Sequence, residues 1–200
     1  MPEVKASNNR LFSLAESQHG VFTTKQAERS GYARKTHFYQ VKSGNWVREY
    51  RGIYRLAHYP ISDEAEYVIW SLWSRNRNEK VLGVYSHETA LSIYDLSDIN
   101  PSKMTMTVPK GFRRNSAIPS ILNLHYGALG ANEIEQRQGY RVTKPFRTIF
   151  DLCHQGTISR DIIERSIAEG INRGVISETE RKKGIASTSL PDWAKSIYAK

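Results

Sequence analysis

The sequence predicts a mixed α+β protein built from two domains, residues 1–60 and 61–200. Three observations predict it. The first sixty residues read as helix, short strand, helix, helix and β-hairpin, whereas the remainder mixes strand-period and helix-period segments. AHYPISD at 57–63 looks like a linker, because Pro60 breaks regular structure and Ser62 or Asp63 is placed to cap a new helix. Charge is also unevenly divided. Residues 1–60 hold 10 of the 29 Lys and Arg but only 4 of the 20 Asp and Glu, so a net +6 of the total +9 falls in less than a third of the chain.

In the first domain, Asn8 or Asn9 can cap a helix through RLFSLAESQ, in which Leu11, Leu14 and Ala15 form one apolar face and Gly20 the stop. VFT at 21–23 is a short extended segment. Thr23 or Thr24 then offers a hydroxyl cap to KQAERS, and Gly31 supplies a tight turn into the next helix. That third helix is predicted over Ala33–Ser43. Its periodicity puts Arg34, Phe38 and Val41 on an inner face, with Lys35, Thr36, Tyr39, Gln40 and Ser43 on the outer one. Gly44 ends it. WVREYRGIYRL at 46–56 is rich in strand formers and is interrupted by Arg51-Gly52, the signature of a hairpin. Each piece is common alone; in this order they make a winged helix-turn-helix with the hairpin as the wing.

The second domain is predicted to open with a helix over 63–73 carrying Tyr67, Ile69, Trp70 and Trp73 mostly on one side. VLGVY reads as a buried strand, and Ser86 as the cap of a helix through HETALSIYDL. KMTMTVP at 103–109 alternates, with Met104, Met106 and Val108 on one face, and ILNLHY at 121–126 alternates likewise. EIEQ and YRV add two short strands. Thr143 should cap a helix with Pro145 at its favoured first position, and Ser159 one with Ile162, Ile163 and Ile167 inward. The polar tail after 176 is predicted helical in part.

Composition narrows the function classes. An apolar content of 39% fits a globular chain, and a pI near 9.7 favours a polyanionic partner. Cys153 is the single cysteine, which excludes an internal disulfide and suits a reducing compartment. MPEVKASNN lacks an apolar secretion segment, and no apolar run approaches the roughly 18 residues of a membrane span. A soluble cytoplasmic protein without membrane contact is expected.

Four short motifs in order, GNWVREYRGIYRL, SHETAL (86–91), MTVPKGFRR (106–114) and VTKPFRTIFDLC (142–153), resemble the AbiEi family of antitoxins over roughly residues 10–155. The resemblance implies a bacterial winged helix-turn-helix joined to an α/β antitoxin-type domain, from a type IV toxin–antitoxin, or abortive-infection, system. It implies a transcriptional repressor that binds inverted repeats of its own promoter as double-stranded DNA. It also implies a nucleotidyltransferase toxin as functional partner, opposed without a stable complex.

The candidate DNA-binding residues are Thr24, Lys25, Arg34, Lys35, Thr36, Tyr39, Gln40, Lys42, Arg48, Arg51 and Arg55. Gln40 suits adenine and Lys35 guanine or phosphate; Thr36 and Tyr39 suit phosphate, and Arg51 at the wing tip a minor groove. Lys110, Arg113 and Arg114 with Phe112 make a possible second basic surface after a strand. Trp46 and Tyr54 read as core. Ser86-His87-Glu88 lacks the flanking glycines of a nucleophile elbow, and a zinc-protease helix would need His where Leu91 stands. Arg147 and Asp151 are spaced as a local helix pair of little weight. No catalytic residue, metal site or cofactor is expected. A nucleic-acid-processing enzyme in the second domain would need clustered carboxylates. Asp63, Glu64 and Glu66 come nearest, and a helix start accounts for them. A stand-alone winged-helix regulator without a toxin is the other alternative.

Overall fold

The structure is a computed structural model that describes residues 2–200, with side-chain surroundings from residue 6 onward. The chain forms two compact units, residues 1–82 with 136–140, and residues 83–135 with 141–200. The division therefore falls after Leu82 instead of at residue 60.

In the first unit, α1 (Pro2–Glu16) leads through His19 and Gly20 into β1 (Val21–Thr23), followed by α2 (Thr24–Arg29). The first helix is longer than the sequence reading, and neither Asn8 nor Asn9 starts it. Thr23 caps α2 in a capping box: its hydroxyl accepts from the Gln26 amide, and the Gln26 side chain accepts from the Thr23 amide at 2.8 Å. A 3-10 turn at Arg34–Thr36 precedes α3 (His37–Lys42). β2 (Trp46–Tyr50) and β3 (Ile53–Leu56) form the hairpin, turning at Arg51-Gly52 with Gly52 at φ +74°. β3 is central: β1 and β2 flank it, both antiparallel. Thus the two predicted strand regions close into one sheet. Leu11, Ala15, Phe22, Ala27 and Trp46 form the core of this unit, with Leu14, Tyr32, Val41, Tyr54 and Leu56 packed on it.

The segment after Pro60 belongs to this unit because α4 (Glu64–Trp73) buries Ala65, Val68, Leu72 and Trp73. Ile69 and Trp70 are only half-buried, so the inner face is rotated from the predicted one. Ser62 accepts from the Glu64 amide at 3.2 Å. Glu64 accepts from the Tyr140 hydroxyl at 2.8 Å and lies 3.3 Å from His19 Nε2, roles that bind the fold together.

The second unit holds a five-stranded mixed sheet in the order β6-β5-β4-β8-β7, from β4 (Val84–Tyr85), β5 (Met104–Val108), β6 (Leu122–Tyr126), β7 (Ile134–Gln136) and β8 (Arg141–Thr143). The alternation of 103–109 puts Met104, Met106 and Val108 on one face of β5. Its residues Thr105 and Thr107 are buried too, since α5 (His87–Ile93) covers them: Thr89 accepts from the Thr105 amide at 2.7 Å, and Thr107 donates to Ser86 at 2.9 Å. Ser86 precedes α5 but its hydroxyl makes no capping bond. Thr143 likewise does not cap α6 (Pro145–Gln155); its hydroxyl pairs with that of Thr148 at 2.7 Å. α7 (Arg160–Asn172) buries Ile163 and Ile167, and Ile162 is half-buried. The tail forms α8 (Glu178–Ala186) and α9 (Asp192–Tyr198).

Candidate nucleic-acid interface

α3 is anchored by the residue preceding the phenylalanine that the helical period placed inside. His37 is 4% exposed, with its ring 5.2 Å from that of Trp46 and its Nε2 3.1 Å from the Tyr32 carbonyl, to which it donates. Phe38 is 69% exposed. The prediction of Phe38 as a core residue is therefore corrected, and the reason is local. Residues 34–36 form a tighter 3-10 turn, so the α-helical period begins only at His37 and an angle counted from Ala33 is out of phase.

That rotation determines what the unit presents. Thr24, Lys25, Arg34, Arg48 and Arg51 line one open groove of about 710 Å³ between α2, α3 and the hairpin, together with Phe38 and Val41. Arg34, Arg48 and Arg51 are exposed there. Lys35, Tyr39 and Lys42 are also exposed on this part of the chain but do not line the groove.

Other predicted contacts are engaged locally. The Gln40 carboxamide oxygen accepts from Asn45 at 2.9 Å, and the Thr36 hydroxyl donates to the Ala33 carbonyl at 2.7 Å. Arg55 Nε donates to Glu49 at 2.6 Å, and the two side chains are only 15% and 23% exposed. Arg55 thus fastens the hairpin at the irregularity between Arg48 and Tyr50. Lys25 Nζ donates to the Arg77 carbonyl at 2.9 Å and sits 3.4 Å from Glu79.

Sequence reasoning missed the segment that braces the hairpin turn. Arg75 Nη2 donates to the Gly52 carbonyl at 3.4 Å, while its Nε bonds the Glu79 carboxylate at 3.1 Å. Thr23 also donates to Glu79, at 3.1 Å. The Thr24 amide donates to the same Gly52 carbonyl at 3.0 Å. In sequence RNRNEK, 75–80, shows only the composition of a polar turn, and a turn's side-chain partners lie far off along the chain.

In the second unit, Lys110 and Arg113 are exposed and Arg114 is half-buried, on a loop held by buried Phe112, whose amide donates to Pro109 at 2.8 Å. Arg147 bonds Asp151 at 2.9 Å and also Glu133 at 3.0 Å, a partly buried three-residue network instead of a simple surface pair. Ser86 is fully buried, and His87 stacks on His125 at 4.0 Å. Burial, then the neighbouring His125, holds the His87 pKa below the usual imidazole range. Burial pushes the Cys153 thiol up to about 11, so it stays protonated at neutral pH. Among the described residues, no group of three or more His, Cys, Asp or Glu is arranged to hold a metal ion, and no helix is long and apolar enough to cross a membrane.

The helices and hairpin that line the groove of the first unit lie in the part of the chain that a known family model matches. Residues 9–57 match the family described as transcriptional regulator, AbiEi antitoxin. That segment resembles the AbiEi antitoxin regulators. The match runs from Asn9 within α1 through the end of the hairpin, so every residue of the groove except Arg75 and Glu79 lies inside it. A solved structure, that of the RV2827C protein from Mycobacterium tuberculosis, is similar with a TM-score of 0.56 at 13% identity, covering 96% of this chain and 80% of that one. At that identity the likeness is one of fold. No curated protein sequence matches the chain.

Proposed function

We propose that the chain is a sequence-specific, DNA-binding transcriptional repressor, with the AbiEi segment as a winged helix-turn-helix. The single observation that carries this reading is the exposed set of Arg34, Arg48 and Arg51 around α3 and the hairpin tip, backed by a core that fixes both elements. Guanidinium groups on a rigid frame suit phosphates and base edges. Helix α3 enters the major groove, Arg51 at the hairpin turn reaches the adjacent backbone or minor groove, and Lys35 and Lys42 meet phosphates on either side. The second unit supplies the antitoxin activity of a type IV system against a nucleotidyltransferase toxin, acts in the cytoplasm and performs no catalysis itself.

The DNA reading is tested by gel shift of the full chain on its own promoter DNA. Affinity should fall by a factor on the order of 10³ between about 50 and about 200 mM salt if roughly six phosphates are neutralised. No binding at the lower salt sinks it. The antitoxin reading is tested separately, by co-expression with a nucleotidyltransferase encoded beside the gene. Growth rescue supports it, and failure to rescue removes it while leaving the DNA reading intact.

A further inference from the structure

Phe38 stands exposed on the groove side of α3, among Arg34, Arg48 and Arg51, while its neighbour His37 takes the core position. A phenyl ring carries no hydrogen-bonding atom, so it adds nothing to phosphate binding. Against DNA, which presents anions and no cation to its π face, the ring gains from apolar surface. Among the base edges of the major groove, duplex DNA offers one such outcrop without unstacking, the thymine 5-methyl group. Its helix is pinned beneath by His37 on Trp46, and its exposed neighbour Tyr39 lies edge-to-face with it, centroids 5.8 Å apart.

We propose that Phe38 is a specificity-determining residue that reads thymine through its methyl group, an assignment that rests on the DNA-binding reading above. The committed occupant is duplex DNA, because the Lys and Arg side chains lining the groove with Phe38 outnumber its Glu28 and Glu79, which matches a polyanion and disfavours a second copy of the same basic surface. Arg34 and Arg48 position the helix on phosphates, and Phe38 supplies discrimination at one or two thymine positions.

The test uses the full chain and a duplex enriched from a random-sequence pool, resynthesised with deoxyuridine in place of each thymidine in turn. At one or two positions, loss of the methyl should weaken the wild type about fourfold, the worth of one methyl removed from water. Phe38→Ala should bind the thymine and uracil forms of those positions alike, with an unchanged melting curve. Equal sensitivity of wild type and Phe38→Ala to methyl removal, or no sensitivity at any position, overturns the proposal. An aromatic wedge would also be insensitive to the methyl and would overturn it. So would a Phe38→Ala variant that converts a dimer to a monomer in sedimentation while weakening every duplex equally, because the occupant would then be a second copy. A salt-sensitive but methyl-insensitive complex removes the role of Phe38 and keeps the DNA reading. Failure to enrich any duplex removes both.

Discussion

The His37 imidazole lies 5.2 Å from the Trp46 indole, inclined at 59°, and this contact ties α3 to the first strand of the hairpin. His37 also faces the Tyr54 ring at 6.0 Å, so one buried residue joins the helix to both strands. The exposed Lys42 of α3, and Arg34 and Lys35 on the turn before it, take their positions relative to the hairpin from this joint.

Substitution should expose the joint directly. His37→Ala removes a buried ring and leaves the Tyr32 carbonyl without its donor, at a cost of about 2–3 kcal/mol. Phe38→Ala should change stability by no more than about 0.5 kcal/mol, as expected of an exposed site. Chemical denaturation of the two variants is the measurement, and a larger loss for Phe38 would reverse the assignment of faces.

The arginines of the hairpin should separate into two kinds. Arg48→Ala and Arg51→Ala should each lower the salt slope of DNA binding by about 0.9, the value of one lost phosphate contact. Arg55→Ala should leave the slope unchanged and instead weaken the fold, by about as much as Glu49→Ala does. A double-mutant cycle on Glu49 and Arg55 should return a coupling on the order of 1 kcal/mol, reflecting a partly buried ion pair.

His87 should make stability depend on pH. Its folded-state pKa is held down, chiefly by burial and then by His125 and Arg147, while Asp151 and Glu88 act the other way. The unfolded chain therefore binds the proton more readily, and stability falls as pH drops below the ordinary imidazole value of about 6.5. The loss is at most about 1.4 kcal/mol per pH unit for one group. Its backbone sits at φ +54°, which asparagine tolerates, so His87→Asn is the suitable control. Melting temperatures measured at pH 7.5, 6.5 and 5.5 should show a shallower fall for that variant.

Gly184 should resist substitution although it lies within α8. A Cβ at this position would meet the buried Tyr198 ring of α9. Alanine gains about 1 kcal/mol in helix propensity, but overpacking costs about 1–3 kcal/mol. Gly184→Ala should therefore lower the melting temperature of the full chain, and a rise would place the α8–α9 contact elsewhere.

Sequence alone determined much of this protein, because some of its signals are local. The Thr23–Gln26 capping box, the Arg51-Gly52 turn and Pro145 at a helix start depend on residues within a few positions of one another. The positions of the cations and the family resemblance in 9–57 were legible for the same reason. Tertiary structure alone decided which face of α3 is buried. A 3-10 turn shifts the helical phase by less than a residue's width of pattern, and Trp46 selects His37 over Phe38 by packing, not by hydropathy. It decided as well that Arg55 and Gln40 are occupied by Glu49 and Asn45, and that Arg75 and Glu79 reach the hairpin turn. Those outcomes depend on side chains meeting across strands and loops, where sequence distance carries no information about contact.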